Sequence, residues 1–163
     1  MIGARIIANL SGLDSLMKRF PEVSREVRES KISEALLLLE GRVKEKTPQG
    51  AGPIHLRDTI FPKVQVTGDQ VTGILGTPQE HGEPVEYGTK PHFPPTEPIR
   101  YWVRKVLGLQ GKEARTAAFL IARAISRRGT KGAAMFEKGF KENEGQVMRL
   151  LEGIAGEIVR RVS

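Results

Sequence analysis

The chain has no cysteine, which excludes disulfides, thiolate nucleophiles and zinc sites of the cysteine-rich kind. Aromatic residues are scarce, at 6%, so the core must be built from Leu, Ile, Val and Ala, a composition that favours helices. No apolar run approaches the roughly 20 residues a transmembrane helix needs; the most apolar stretch is 35–39. The first residues lack the long apolar segment of a signal peptide. The expectation is a soluble chain made in the cytoplasm, with no membrane partner. Catalytic signatures are missing too: Gly108-Leu109-Gln110-Gly111-Lys112 has neither the spacing nor the terminal Ser/Thr of a phosphate-binding loop, and there is no Gly-x-Ser-x-Gly elbow. The reading is a protein without enzymatic activity, cofactor or metal.

The 163 residues suit one domain able to bury about two-thirds of its unfolded surface. The net charge is +7, and its distribution says more than its size. Residues 99–131 carry nine Lys and Arg against one acidic residue, whereas the flanking segments are nearly balanced. Charge confined in this way steers association with an acidic partner, protein or nucleic acid.

Periodicity gives the elements. After a short apolar lead over 1–10, Ser11-Gly12-Leu13-Asp14 opens a helical turn, and Pro21 starts a long helix with Glu22 and Glu26 near its positive end. Val23, Val27, Ile32, Ala35, Leu36, Leu39 and Val43, recurring mostly at three or four, draw its apolar stripe, and the helix should end near Lys46, since Pro48 forbids continuation. Between Leu56 and Gly76 the period falls to two: Val64 and Val66 alternate with polar neighbours, Thr67-Gly68-Asp69-Gln70 turns, and Val71, Gly73 and Leu75 return. That is a β-hairpin, and Val85–Tyr87, bracketed by Pro84 and Pro91, reads as a short third strand at an edge. Pro94-Pro95-Thr96-Glu97-Pro98 leads into a helix capped by Thr96, with Ile99, Trp102, Val103 and Val106 inward. A second helix over 112–128 turns Ala117, Leu120, Ile121, Ala124 and Ile125 inward. A last helix over about 142–162 buries Val147, Leu150, Leu151, Ile154, Ile158 and Val162. Gly153 and Gly156 each cost that helix about 1 kcal/mol relative to alanine, which points to a close helix contact there.

Two groups of residues are candidates for interaction. Arg100 and Arg104 are four apart on one helix, and Arg115, Arg123 and Arg127 share a face of the next; with Lys105, Arg128 and Lys131 they could meet an acidic protein or neutralise phosphates. No base-reading motif or aromatic interleaving accompanies them, so a solvated or protein-binding face is the favoured reading over DNA contact. The second group is Glu80, Glu83, Glu86 and Tyr87 with the loop Gly88-Thr89-Lys90-Pro91. In a strand, alternation would put Glu80 and Glu86 on one face and His81 and Glu83 on the other, too few ligands for a metal. An acidic edge that meets a neighbouring subunit's arginines is the better reading. His55 and His92 read as surface loop residues. Gly-Thr-Lys at 88–90 recurs at 129–131.

Val85-Glu86-Tyr87-Gly88-Thr89-Lys90-Pro91-His92, taken with Thr47-Pro48, Gly52 and Leu56-Arg57-Asp58-Thr59-Ile60 before it and Phe136-Glu137-Lys138-Gly139-Phe140 after it, resembles the gene-product-ten-like tail components of tailed bacteriophages. The resemblance spans roughly 13–140. It departs from the family's pattern at His81-Gly82, where a Tyr-Ala pair is common, and at 95–131, which looks like an insertion. It implies a tail-completion or minor tail protein of the head–tail junction, assembled in the host cytoplasm and carried in the virion's neck or tail. Such a protein forms a ring of copies and docks on other tail or connector proteins. The fold expected is a single α+β domain over 1–163, with the long first helix and the last helix on a small antiparallel sheet and a basic helical pair inserted at about 96–131. The alternative is a basic nucleic-acid-binding module that contacts duplex DNA through its arginine stripes.

Overall fold

The computed structural model describes residues 2–7, 13–52 and 54–163. In chain order the elements are β1 (Ile2–Ile7), α1 (Asp14–Arg19), α2 (Pro21–Lys46), a 3-10 turn (Leu56–Thr59), β2 (Phe61–Thr67), β3 (Gln70–Thr77) and α3 (Gly82–Tyr87). After them come β4 (Gly88–Thr89), α4 (Thr96–Val106), α5 (Gly111–Arg128), β5 (Thr130–Lys131) and α6 (Met135–Val162). The fold is α+β, with long N-terminal and C-terminal helices and a small antiparallel sheet.

Helix α2 forms where its sequence dictates. Pro21 occupies the first turn, where its missing N–H costs nothing, Glu22 faces the positive end, and Lys44 and Lys46 face the negative one. Thr47 ends it in an extended conformation, its hydroxyl donating to the Val43 carbonyl at 2.8 Å, and Pro48 follows. Of the stripe, Val27, Ile32, Ala35, Leu36, Leu39 and Val43 are fully buried and Val23 is half-buried; each of the large buried members contributes about 1.5–3 kcal/mol.

The stripe serves two partners. Ile32 and Leu36 press on the sheet at Gly73, where a Cβ would lie 2.6 Å from Ile32 Cγ2, so glycine there sets the helix–sheet distance. Helix α6 packs antiparallel along α2: Gly139, near its start, faces Val43 near the end of α2, while Ile154 and Ile158 cluster with Val27. Ion pairs stand near both ends, Lys46 with Glu142 at 2.6 Å and Arg161 with Glu26 at 3.7 Å.

The sheet has the order β1-β3-β2, antiparallel throughout, with the hairpin joined at Thr67–Gln70. The buried Arg28 braces its tip, donating to the Asp69 carbonyl.

Several expectations need correction. The third strand of the sheet is β1, not Val85–Tyr87. The apolar lead already alternated, with Ile2, Ala4 and Ile6 turned inward. Val85–Tyr87 instead closes the helix α3, because Pro84 sits in its first turn, where proline is tolerated, and three residues are too few to fix a period. Thr96 is the first residue of α4 and makes no capping bond. Val106 (39% exposed) and Leu120 (54%) are outside, and the buried face of α5 is Ala114, Ala118 and Ala122. Helix α6 begins at Met135, seven residues before the expected start, and Gly153 and Gly156 lie on its exposed side with no atom within 4 Å of an added Cβ. The close contact is at Gly139.

Candidate functional site

The two Gly-Thr-Lys copies pair with each other. Gly88 lies opposite Lys131 and Thr89 opposite Thr130 in an antiparallel bridge, the threonine hydroxyls 3.0 Å apart. Ala133 N–H and Ala134 N–H extend it by donating to the carbonyls of Val85 and Glu86 at 2.7 and 3.0 Å. Only glycine fits at the bridge. Gly88 has φ 82° and ψ −174°, a region essentially closed to other residues, and a Cβ there would lie 2.1 Å from the Thr130 carbonyl oxygen. Cβ atoms at Gly129 and Gly132 would strike Thr89 O and Glu86 O at 1.9 and 2.2 Å.

Glu86 belongs to this bridge rather than to an exposed acidic edge. It is 4% exposed, and its carboxylate accepts the backbone N–H groups of Phe136 at 3.0 Å and Glu137 at 3.1 Å. These are among the four N-terminal N–H groups that α6 cannot satisfy itself, and a negative charge at that end is favoured by the helix dipole. The expectation that Glu86 shares a solvated face with Glu80 fails for this reason, since a helix and not a strand carries it. Glu80, Glu83 and Tyr87 are exposed and line a hollow of ≈ 470 Å³ with Ile2, Pro78 and Gln79. Lys90 and Pro91 are exposed just beyond β4, and His92 Nδ1 lies 2.9 Å from the Lys90 carbonyl. Gly88 and Thr89 spend their backbone groups on β5.

Between the bridge strands stand α4 and α5, which pack chiefly on each other. The basic residues of this arm divide into separate patches. Arg100, Arg104 and Arg115 surround a hollow of ≈ 330 Å³ between the two helices; Arg100 pairs with Glu97 at 2.6 Å, and Arg104 Nε donates to Gln110 at 3.3 Å. Lys105 stands over the Tyr101 ring at 5.8 Å. Arg128 and Lys131 rim a groove of ≈ 490 Å³ with Ile121, Ala124 and Ile125. Arg123 and Arg127 are exposed and line neither.

Sequence reasoning missed the exposed apolar surface of the arm. Phe119 is 52% exposed and meets Phe93 with ring centroids 6.4 Å apart. The signal was present: α5 carries apolar residues at 117–122 and 124–125, more than one face of a two-helix hairpin can bury. Among the described residues no group of His, Asp and Glu is placed to hold a metal, and no helix is long and apolar enough to cross a membrane. Comparison with protein-family models, with curated proteins and with solved structures finds no match to this chain.

Proposed function

We propose that this chain is a structural protein of a tailed-phage neck or tail, without catalytic activity, which completes the tail and helps to join it to the head. It acts by associating with itself into a ring and docking on neighbouring tail or connector proteins, and it is carried in the virion after assembly in the host cytoplasm. One observation carries this reading: motifs scattered over the sequence meet at one end of the core. The Thr47 hydroxyl lies 3.3 Å from Met135 Sδ, Leu56 lies 3.8 Å from where a Gly82 Cβ would be, and the hydroxyls of Thr59 and Thr77 are 2.8 Å apart. Glu86 holds the start of the Phe136–Phe140 segment, whose Gly139 is seated on Val43. Of the motifs that resemble tail-completion proteins, Val85–His92 and Phe136–Phe140 are joined directly through Glu86, and the arm they frame is exposed, basic and partly apolar, as an assembly surface should be.

Sedimentation velocity over a wide concentration range, with averaged electron micrographs, tests the reading. Discrete oligomers that resolve as closed rings are expected; a chain that stays monomeric and yields no ring particles refutes it. The convergence of Arg100, Arg104 and Arg115 favours a second reading, direct contact with duplex DNA. Its mark is binding that weakens steeply with salt, by roughly one unit of log–log slope per phosphate contacted.

A further inference from the structure

We infer that the groove on α5 receives Tyr87 of a second copy of this chain, with Glu80 and Glu83 beside it meeting the groove's basic rim. The inference rests on the self-association reading and specifies its contact.

The two surfaces match in charge and in apolar character. The groove has an apolar floor of Ile121, Ala124 and Ile125 and a basic rim of Arg128 and Lys131. The hollow carries Glu80 and Glu83 beside Tyr87, which is 73% exposed. A tyrosine this exposed, on a short helix joined directly to the bridge, is the kind of amphipathic anchor that interfaces use, its ring in an apolar pocket and its hydroxyl at the wet margin. The groove volume falls in the range of pockets that accept a group of that size. Among the described residues none of Glu80, Glu83, Arg128 and Lys131 forms an ion pair. These four charges are therefore unspent among the described residues.

The complement is not satisfied in cis. Gly88 and Lys131 are paired through their backbones, yet Tyr87 next door does not line the groove and remains exposed. Its partner groove is the one on a neighbouring copy. Where two copies do not meet about a two-fold axis, contact between unlike surfaces leaves one of each free at every step, and repetition closes into a ring when the rotation allows. Oppositely charged rims also fix the register and speed the encounter.

The test is a charge swap. Glu80→Lys with Glu83→Lys, and separately Arg128→Glu with Lys131→Glu, should each lower the association constant measured by sedimentation by at least about tenfold, because like charges are then juxtaposed. The four changes combined in one chain should restore association to near the wild-type value. Tyr87→Ser should weaken association with the charges intact, and circular dichroism melts of every variant check the fold; Arg128→Gln with Lys131→Gln replaces the reversed pair should that variant melt early. Assembly of both reversed variants at the wild-type level, or a combined variant that stays as weak as its parents, overturns this contact and leaves the ring reading standing. A wild-type chain that is monomeric throughout overturns both.

Discussion

Replacing Glu86 with alanine removes a side-chain acceptor that holds the start of α6. Both carboxylate oxygens are engaged, one by Phe136 N–H at 3.0 Å and the other by Glu137 N–H at 3.1 Å. Hydrogen bonds to a charged group contribute about 1.5–3 kcal/mol each, and a buried donor left without a partner costs about 1–3 kcal/mol. Phe136 is buried, so its N–H cannot turn to water, whereas Glu137 is exposed and its N–H can be rehydrated. The expected loss is therefore about 3 kcal/mol rather than the sum of two full bonds. For a domain of this size each kcal/mol shifts the melting temperature by about 2–4 °C, so Glu86→Ala should melt about 6–12 °C below wild type. Glu86→Gln keeps one acceptor oxygen and loses the charge, and should fall by roughly half as much. Thermal unfolding followed by circular dichroism, at a concentration where the chain is monomeric, measures this. Unchanged melting accompanied by weaker assembly would show that Glu86 faces a neighbour, and the assignment to α6 would be wrong.

Gly153→Ala and Gly156→Ala lie on the open side of α6 and should each stabilise the fold by about 1 kcal/mol, read as a raised urea midpoint; destabilisation would mean that a partner helix sits there after all. Gly88→Ala should cost at least about 1–3 kcal/mol, and hydrogen exchange should show faster opening at Thr130 and Lys131 while the protection of α2 is retained; equal loosening of α2 would show that the bridge and the core are one cooperative unit. Ala134 has φ 53° and ψ 46°, a left-handed conformation that costs an L-residue about 1–2 kcal/mol, so Ala134→Gly should be neutral or stabilising, and a lowered melting temperature would contradict that geometry. Reversing Arg115, Arg123 and Arg127 to glutamate should leave the melting temperature nearly unchanged, since all three are exposed; a large drop would make them structural.

Helix α2 was legible because the local cues agreed: proline at its start, charges suited to the dipole, a stripe recurring mostly at three or four, and proline just beyond its end. The hairpin was legible because its alternation continues on both sides of a four-residue turn signal. Val85–Tyr87 was misread because three residues carry no period, and β1 was passed over because its partner β3 lies some 70 positions away, a pairing that local pattern cannot reveal. The arm's helices were placed well and the inward face of α5 poorly: Val103 of α4 is buried as expected, but α5 fully buries only the small Ala114, Ala118 and Ala122, and amphipathic reasoning assumes a full core to face. The bridge was half visible. The repeated Gly-Thr-Lys was noticed as a repeat, but pairing between copies 41 residues apart is a tertiary fact. The role of Glu86 was hidden because a carboxylate that caps a distant helix looks, in sequence, like any surface acid.

The bridge also governs how the arm can change over time. Its two strands bring the entry and exit of the arm to within one strand spacing, about 4.8 Å, while the body's core draws nothing large from 96–128. A segment whose ends already touch can be lengthened, shortened or exchanged without moving its anchorage, since closing a longer loop adds only about 0.6 kcal/mol per doubling. The body is in effect a socket, and the arm is the interchangeable tool that it presents.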